Sequence, residues 1–350
     1  MDRRILLTLL ATVFVALLGL GIIIPIMPLY AEELGASSTM IGLMVAGFSV
    51  SRGICQPIVG GLSDRRGRRR FMLAGLTVYS LTGLLFVVAS SVLDLMLIRI
   101  VQGVGSAMII PIAMSYVADL APAGEEGRLM GQLNVALFAG IGSGPIVGGV
   151  FLDGLGMESA FYAMSGMAGI ALLLVRFVLP ADHGRKVVDR PPLLQTFTAM
   201  IHSPRVVGIM SARASTMVVM VPSMAFLPLL MEEFMDASGS QIGIVIATRT
   251  LTNAALQTPF GRLADRFDRG RLVLIGSCIM AAAMLSIPHA GQFVHLVAIF
   301  AVMGVGEAVV WPTLGALATE EGRHYGQGST MGVFNMSMSL GILIGSIGAG

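Results

Sequence analysis

The sequence predicts an all-α membrane protein made of two six-helix repeats, and three observations carry that expectation. Hydrophobic residues form 55% of the chain while charged residues form only 12%, against about 25% charged in an ordinary soluble domain. Apolar runs near twenty residues recur almost without pause, each sufficient to cross a hydrocarbon core of about 30 Å. The chain also repeats itself at an offset of 201 residues. The 44 glycines fit the same picture, because small residues let membrane helices approach closely.

Taken in order, the runs predict spans at 5–28, 39–61, 71–90, 94–118, 129–151 and 158–179. A polar stretch at 181–204, with Pro191-Pro192, serves as linker; five further spans follow at 206–230, 240–261, 272–289, 293–318 and 329–350. This gives an N-terminal half at 1–180 and a C-terminal half at 205–350, whose sixth span, expected near 359–380, lies beyond Gly350. That is 11 spans of an expected 12, and it predicts a truncated second half. The first run follows Arg3-Arg4 and exceeds a signal-peptide core of about 7–15 residues, so it reads as an uncleaved span. Cys55 and Cys278 both fall inside apolar runs and read as small buried hydrophobes rather than a disulfide.

Charge decides the orientation. With the N-terminus inside, eighteen of the 22 lysines and arginines fall in cytoplasmic segments, and the other four, Arg52, Arg99, Arg213 and Arg249, lie within spans. The outer loops carry Glu32, Glu33, Asp153, Glu158, Glu232, Glu233 and Asp236. The positive-inside rule therefore predicts a cytoplasmic N-terminus.

The repeat runs through chemically telling positions. Gln56, Gly60, Asp64 and Arg68 map to Gln257, Gly261, Asp265 and Arg269; Gly103, Gly105 and Pro111 map to Gly304, Gly306 and Pro312. Gly131, Asn134, Gly140 and Gly144 map to Gly332, Asn335, Gly341 and Gly345, and Asp119 maps to Glu320. Six spans per unit is even, so both copies enter the membrane the same way up, as parallel repeats do.

Between spans 2 and 3 the run Gly60-Gly61-Leu62-Ser63-Asp64-Arg65-Arg66-Gly67-Arg68-Arg69-Arg70 reads as a basic loop. Its glycines permit a tight turn, and arginines near an anionic surface contribute about 1 kcal/mol each. These residues meet the pattern Gly-x-x-x-Asp-Arg-x-Gly-Arg-Arg, and with two six-span repeats and a basic central linker the chain resembles the major facilitator superfamily. Arg99-x-x-Gln102-Gly103-x-Gly105 is similar to that family's span 4 motif. Gly140-x-x-x-Gly144-Pro145-x-x-Gly148-Gly149 is similar to its antiporter motif, and Gly19-x-Gly21-Ile22-Ile23-Ile24-Pro25-x-x-Pro28 resembles the opening of twelve-span drug:proton antiporters.

The resemblance implies a bundle of the major facilitator type. It also implies a conformational latch built from Gly60, Asp64, Arg65, Gly67, Arg68 and Asp119, with Asp265 and Arg269 as the second copy. That copy, Gly261 to Arg271, replaces the second glycine by Asp268 and carries less charge, so it reads as preserving symmetry and topology while the first copy works the latch. Small residues at every fourth position from Gly140 to Gly149 make a flat packing face, and the resemblance adds a gating role.

Five charges sit inside spans: Arg52, Arg99, Arg213, Arg249 and the acid Glu307. An ionisable group at bilayer depth costs about 2.5–3.5 kcal/mol or more, so it faces a cavity or a partner. Burial favours the neutral form of a carboxyl and a nearby arginine the charged form, which is what a proton carrier needs. Glu307 is thus the candidate protonation site or anchor for a cationic substrate, and Arg249 its partner by depth; a static ion pair is the alternative. Arg99 reads either as a proton-transfer residue, by resemblance, or as a structural one bonded to carbonyls or Asp94. Arg213 lacks a polar repeat mate and reads as snorkelling. The 25 methionines, with Phe48, Phe138, Phe226, Phe334 and Trp311, read mainly as packing residues.

The functional expectation is a secondary active transporter that exports small amphipathic or drug-like compounds in exchange for protons, monomeric, in a bacterial inner membrane. The alternatives are an exporter of a specific metabolite (a sugar, amino acid or siderophore) and a membrane receptor or enzyme. No cluster suggests catalysis, a metal, a cofactor or a nucleic-acid partner.

Overall fold

A computed structural model describes residues 3–23, 26–179, 192–225, 231, 235 and 239–348. Among them the secondary structure is helical. In chain order the helices are α1 (Arg3–Ile23), α2 (Ile26–Glu33), α3 (Ser38–Arg66), α4 (Arg68–Val87), α5 (Val92–Ala107), α6 (Ile110–Leu120) and α7 (Glu126–Leu155). They continue with α8 (Met157–Val178), α9 (Leu193–His202), α10 (Pro204–Ala225), α11 (Gly239–Ala264), α12 (Arg269–Ser286), α13 (Phe293–Tyr325) and α14 (Gln327–Gly348). Eight of these, counting α5 and α6 as one, are long and apolar enough to cross a membrane. Helices α10, α11 and α14 have 22, 26 and 22 residues but are not among the eight.

The basic stretch at 60–70 is not a loop. Helix α3 runs through it to Arg66, and α4 begins at Arg68, so a single residue joins them. That residue is Gly67, at φ 91°, a backbone conformation that a side chain would strain. The expected fourth span is likewise two helices, broken at Met108-Ile109, and the polar stretch 181–204 contains α9. The rest of that stretch, 181–191, lies outside the described residues, as do Pro25, Phe226, Pro228, Glu232, Glu233 and Asp236.

Packing divides the chain into two compact units. Unit 1 comprises Met1–Leu120, Ala136–Ala199 and Glu321–Met336; unit 2 comprises Ala121–Val135, Met200–Glu320 and Ser337–Gly350. The start of α7 therefore belongs with unit 2, and the start of α14 with unit 1.

In unit 1 a core forms around Ile22, Ile23, Met27, Met44, Phe86, Leu95, Phe161 and Met164. Phe161 stands 5.1 Å from the Tyr30 ring and 5.4 Å from the Phe86 ring, within the range of favourable aromatic pairs. The Tyr30 hydroxyl reaches the backbone oxygens of Phe86 and Ala89, at 3.1 and 3.0 Å. In unit 2 a smaller core gathers Met231, Val245, Ala283, Leu296, Phe300 and Met303. Outward faces are apolar: Leu43, Ile54, Ile58, Val88 and Phe177 of unit 1 and Leu251, Leu274 and Leu285 of unit 2 are all exposed. On a soluble protein such patches would be liabilities; on membrane helices they meet lipid. Cys278 is exposed, against the expectation of burial, and Cys55 is half-buried.

Candidate functional site

At the α3–α4 junction in unit 1, Asp64 sits beside the first turn of α14. Its carboxylate accepts hydrogen bonds from the backbone amides of Gly328 and Ser329, at 2.8 and 2.9 Å, and from the Ser329 hydroxyl at 3.3 Å. The first amides of any helix lack partners within it. The residue before α14 is Gly326, which has no side chain with which to cap them. Asp64 is therefore the N-cap of α14, supplied from a distant helix. The approach needs Gly60, because a Cβ there would lie 2.1 Å from the Gly328 carbonyl oxygen. Arg68, fully buried, bridges Asp64 at 3.1 Å and Asp119 at 3.0 Å. Arg65 lies half-buried in the last turn of α3. Arg69 donates to the backbone oxygens of Val175 and Arg176 in the last turn of α8, where a cation complements the helix dipole.

Unit 2 repeats the construction. Asp265 accepts from the amides of Gly127 and Arg128, at 2.7 and 2.9 Å, and so caps α7. Burial raises the Asp265 carboxyl above its ordinary value, against the opposing pull of these two amides and Arg269. Arg269 bonds Glu126 at 2.9 Å and Glu320 at 2.6 Å and approaches Asp265 at 3.5 Å; Arg205 also pairs with Glu320. The second copy thus has a cap and ion pairs like the first, despite its lower charge. Asp268, in place of the motif's second glycine, accepts from the Arg271 amide at 2.8 Å and caps α12. A cavity of about 680 Å³ opens here, lined by Arg205, Asp265, Arg266, Phe267, Arg269 and Glu320 among others.

The within-span charges separate into different environments. Glu307 on α13 and Arg249 on α11 are both buried and paired, with Nε of Arg249 3.1 Å from Oε1 of Glu307. The side-chain amide of Asn253 donates to the other carboxylate oxygen at 2.9 Å. Two glycines bring the helices together: a Cβ at Gly304 would lie 2.6 Å from the Arg249 backbone oxygen, and one at Gly306 would lie 2.7 Å from Met280 of α12. Unit 1 uses Gly103 and Gly105 the same way, against Phe48, Ser51 and Arg52 on α3 and Val78 on α4. Ser106 stands there at the position of Glu307, so the carboxylate is peculiar to unit 2.

Arg99 does not pair with Asp94, which accepts instead from Ser90 and Ser91 at the start of α5. It donates to Gln102 at 3.0 Å and lies between the rings of Phe48 and Phe86, 5.7 and 5.9 Å from their centroids. Arg213 does not snorkel: it is buried, 4.5 Å above the Trp311 ring, and reaches the sulfur of Met338. Aromatic faces attract such cations. Arg52 is half-buried, and its Nε has no hydrogen-bond partner among the described residues. The glycines of α7 pack on α1 within unit 1: Gly140 against Phe14 and Leu17, Gly144 against Gly21, and Gly148 against Ile22. Pro145 and Gly149 fall on the same helix, but their surroundings lie outside the described residues.

The profile of the Major Facilitator Superfamily matches residues 9–234 and 209–350, nearly the whole chain. The chain belongs to this superfamily. It is 29% identical over 344 residues to an uncharacterized MFS-type transporter of Methanocaldococcus jannaschii, covering 97% of this chain and 88% of that protein. Multidrug resistance protein 2 of Bacillus subtilis is 36% identical over 51% of this chain and 44% of its own length. Quinolone resistance protein NorA of Staphylococcus aureus is 31% identical over 49% and 43%. The crystal structure of the human organic anion transporter MFSD10 (TETRAN) superposes with a TM-score of 0.84 at 19% identity, over 98% of this chain and 92% of that one. At that identity it speaks for the fold. The chain is therefore a multi-pass integral membrane transporter of this superfamily and not an enzyme.

Proposed function

We propose that this transporter exports small amphipathic or drug-like compounds in exchange for protons by alternating access, with Glu307 as the proton-carrying residue. The observation that carries the proposal is the buried Arg249–Glu307–Asn253 cluster in unit 2, for which unit 1 has no counterpart at Ser106. A buried ion pair is weak evidence of stability, since apolar residues of similar volume often serve as well. Its presence within a span therefore favours a functional role. The carboxylate holds Arg249 while ionised; on taking a proton it loses that hold and the cluster can rearrange. A cationic or polar substrate competing for the same carboxylate then binds when the proton leaves, which is the exchange an antiporter needs.

Two of the relatives, a multidrug resistance protein and a quinolone resistance protein, support drug-like substrates. The clustering of eighteen basic residues on one side supports a cytoplasmic N-terminus; the proposed setting is a monomer in a bacterial inner membrane. The test is efflux from proteoliposomes against a panel that includes a quinolone, with and without a pH gradient. Gradient-stimulated efflux is the expected result; efflux that ignores the gradient would refute proton coupling.

A further inference from the structure

The Arg249–Glu307 cluster does not end at Asn253. Four residues further along α11, Gln257 donates its side-chain amide to the Asn253 carbonyl oxygen. The Gln257 carbonyl oxygen in turn accepts from the side-chain amide of Asn134 on α7, at 3.0 Å. Residues 249, 253, 257 and 261 follow one another at every fourth position along α11, a row that winds slowly round the helix, and Asp265 follows just past its end at Ala264. At about 1.5 Å per residue this row extends roughly 24 Å, from the buried ion pair to the cap that Asp265 places on α7. Along that row α7 lies against α11 at two glycines. A Cβ at Gly131 would meet the Gln257 backbone oxygen at 2.5 Å, and one at Gly127 the Gly261 oxygen at 2.4 Å. All of these residues belong to unit 2.

The hydrogen bonds share one direction. Asn134 donates to Gln257, Gln257 to Asn253, and Asn253 to Glu307. An ionised carboxylate only accepts, so it sets the polarity of the whole chain of amides; a protonated carboxyl carries a donor of its own and removes that constraint. Asn253 and Gln257 are buried, where changing one hydrogen bond in a connected series is felt by its neighbours.

We propose that Asn253, Gln257 and Asn134 are positioning residues for transport, a polar relay that communicates the charge state of Glu307 to the first turns of α7. With Glu307 ionised, the relay and the Asp265 cap hold residues 127–134 against α11. Once Glu307 is protonated, the Asn134 end loses its fixed partner and the start of α7 is released. This rests on the reading of Glu307 as the proton-carrying residue. The charged group described against Glu307 is Arg249 of α11; α12 approaches α13 there through Gly276 and Met280, which carry no charge. At the far end the ionisable groups include Glu125, Glu126, Arg128, Arg205, Asp265, Arg266, Asp268, Arg269 and Glu320.

The test is hydrogen–deuterium exchange of peptides spanning 124–135, measured against pH on the full chain in lipid nanodiscs and corrected for intrinsic exchange. The infrared band of the Glu307 carboxyl is followed in parallel. In the wild type, exchange should rise about three- to tenfold as the band appears, the range expected for one lost hydrogen bond. In Glu307→Gln the step should vanish. In Asn134→Leu and Gln257→Leu the band should still titrate while the step is lost. A wild-type step in Asn134→Leu, or no step in the wild type, overturns the relay. A step that persists in Glu307→Gln identifies a different titrating group and overturns the reading of Glu307 as well.

Discussion

Asp64→Asn tests the capping geometry most sharply. The carboxylate takes amides from Gly328 and Ser329 on separate oxygens, at 2.8 and 2.9 Å, beside the buried Arg68. An asparagine keeps one acceptor but turns an NH2 group towards the second amide. Losing one charge-assisted hydrogen bond costs about 1.5–3 kcal/mol, and losing the negative charge at a helix N-terminus about 0.3–1 kcal/mol more. The sum, about 2–4 kcal/mol, corresponds to a factor of roughly 30–800 in the equilibrium for opening this contact. Arg68 keeps its bond to Asp119 at 3.0 Å, so insertion and abundance should survive. Hydrogen–deuterium exchange of the first turn of α14 should accelerate strongly, and transport should fall. Wild-type exchange at Gly328 and Ser329 in the variant would refute the trans cap.

Because Asp265 caps α7 with equivalent geometry, Asp265→Asn should accelerate exchange at Gly127 and Arg128 and reduce transport to a similar degree; intact transport would contradict the equivalence. Arg249→Leu leaves the Glu307 carboxylate buried without its cation and should destabilise the protein by about 3–5 kcal/mol, whereas adding Glu307→Leu should recover most of that loss. Thermal unfolding in detergent reads both, and a double variant no more stable than the single one would count against the pairing. Gly144→Val places a Cβ about where the Gly21 backbone lies, 2.4 Å away, so membrane abundance should collapse. Arg213→Leu loses the contact with the Trp311 ring and should lower stability by about 0.5–2 kcal/mol.

The repeat was legible because its markers are the residues that helix packing needs. Gly103, Gly105, Gly304 and Gly306 stand out as glycines, and each meets a neighbouring helix closely. Glu307 and Arg249 were legible as charges at similar depth in apolar runs. The caps were not, since 264 residues separate Asp64 from Gly328 and no local pattern links them. A signal was nevertheless present: α14 is preceded by Gly326, without a capping side chain of its own. The arginine-rich stretch at 60–70 misled because charge suggests a loop, whereas arginines at helix ends extend α3 to Arg66. Gln257 and Asn134 stand out in the sequence as repeat positions, but their link through Asn253 does not, because each is an uncharged polar residue and only the packing of α7 against α11 joins them. Arg213 looked solitary because its partners are an aromatic face and a sulfur.

The central claim is that Glu307 carries the exchanged proton. It is tested most directly by measuring proton release from the purified protein on addition of a transported compound, in wild type and in Glu307→Gln. The wild type should release protons, and the variant should bind or exchange the compound with no release. Release from Glu307→Gln at the wild-type level would contradict the account.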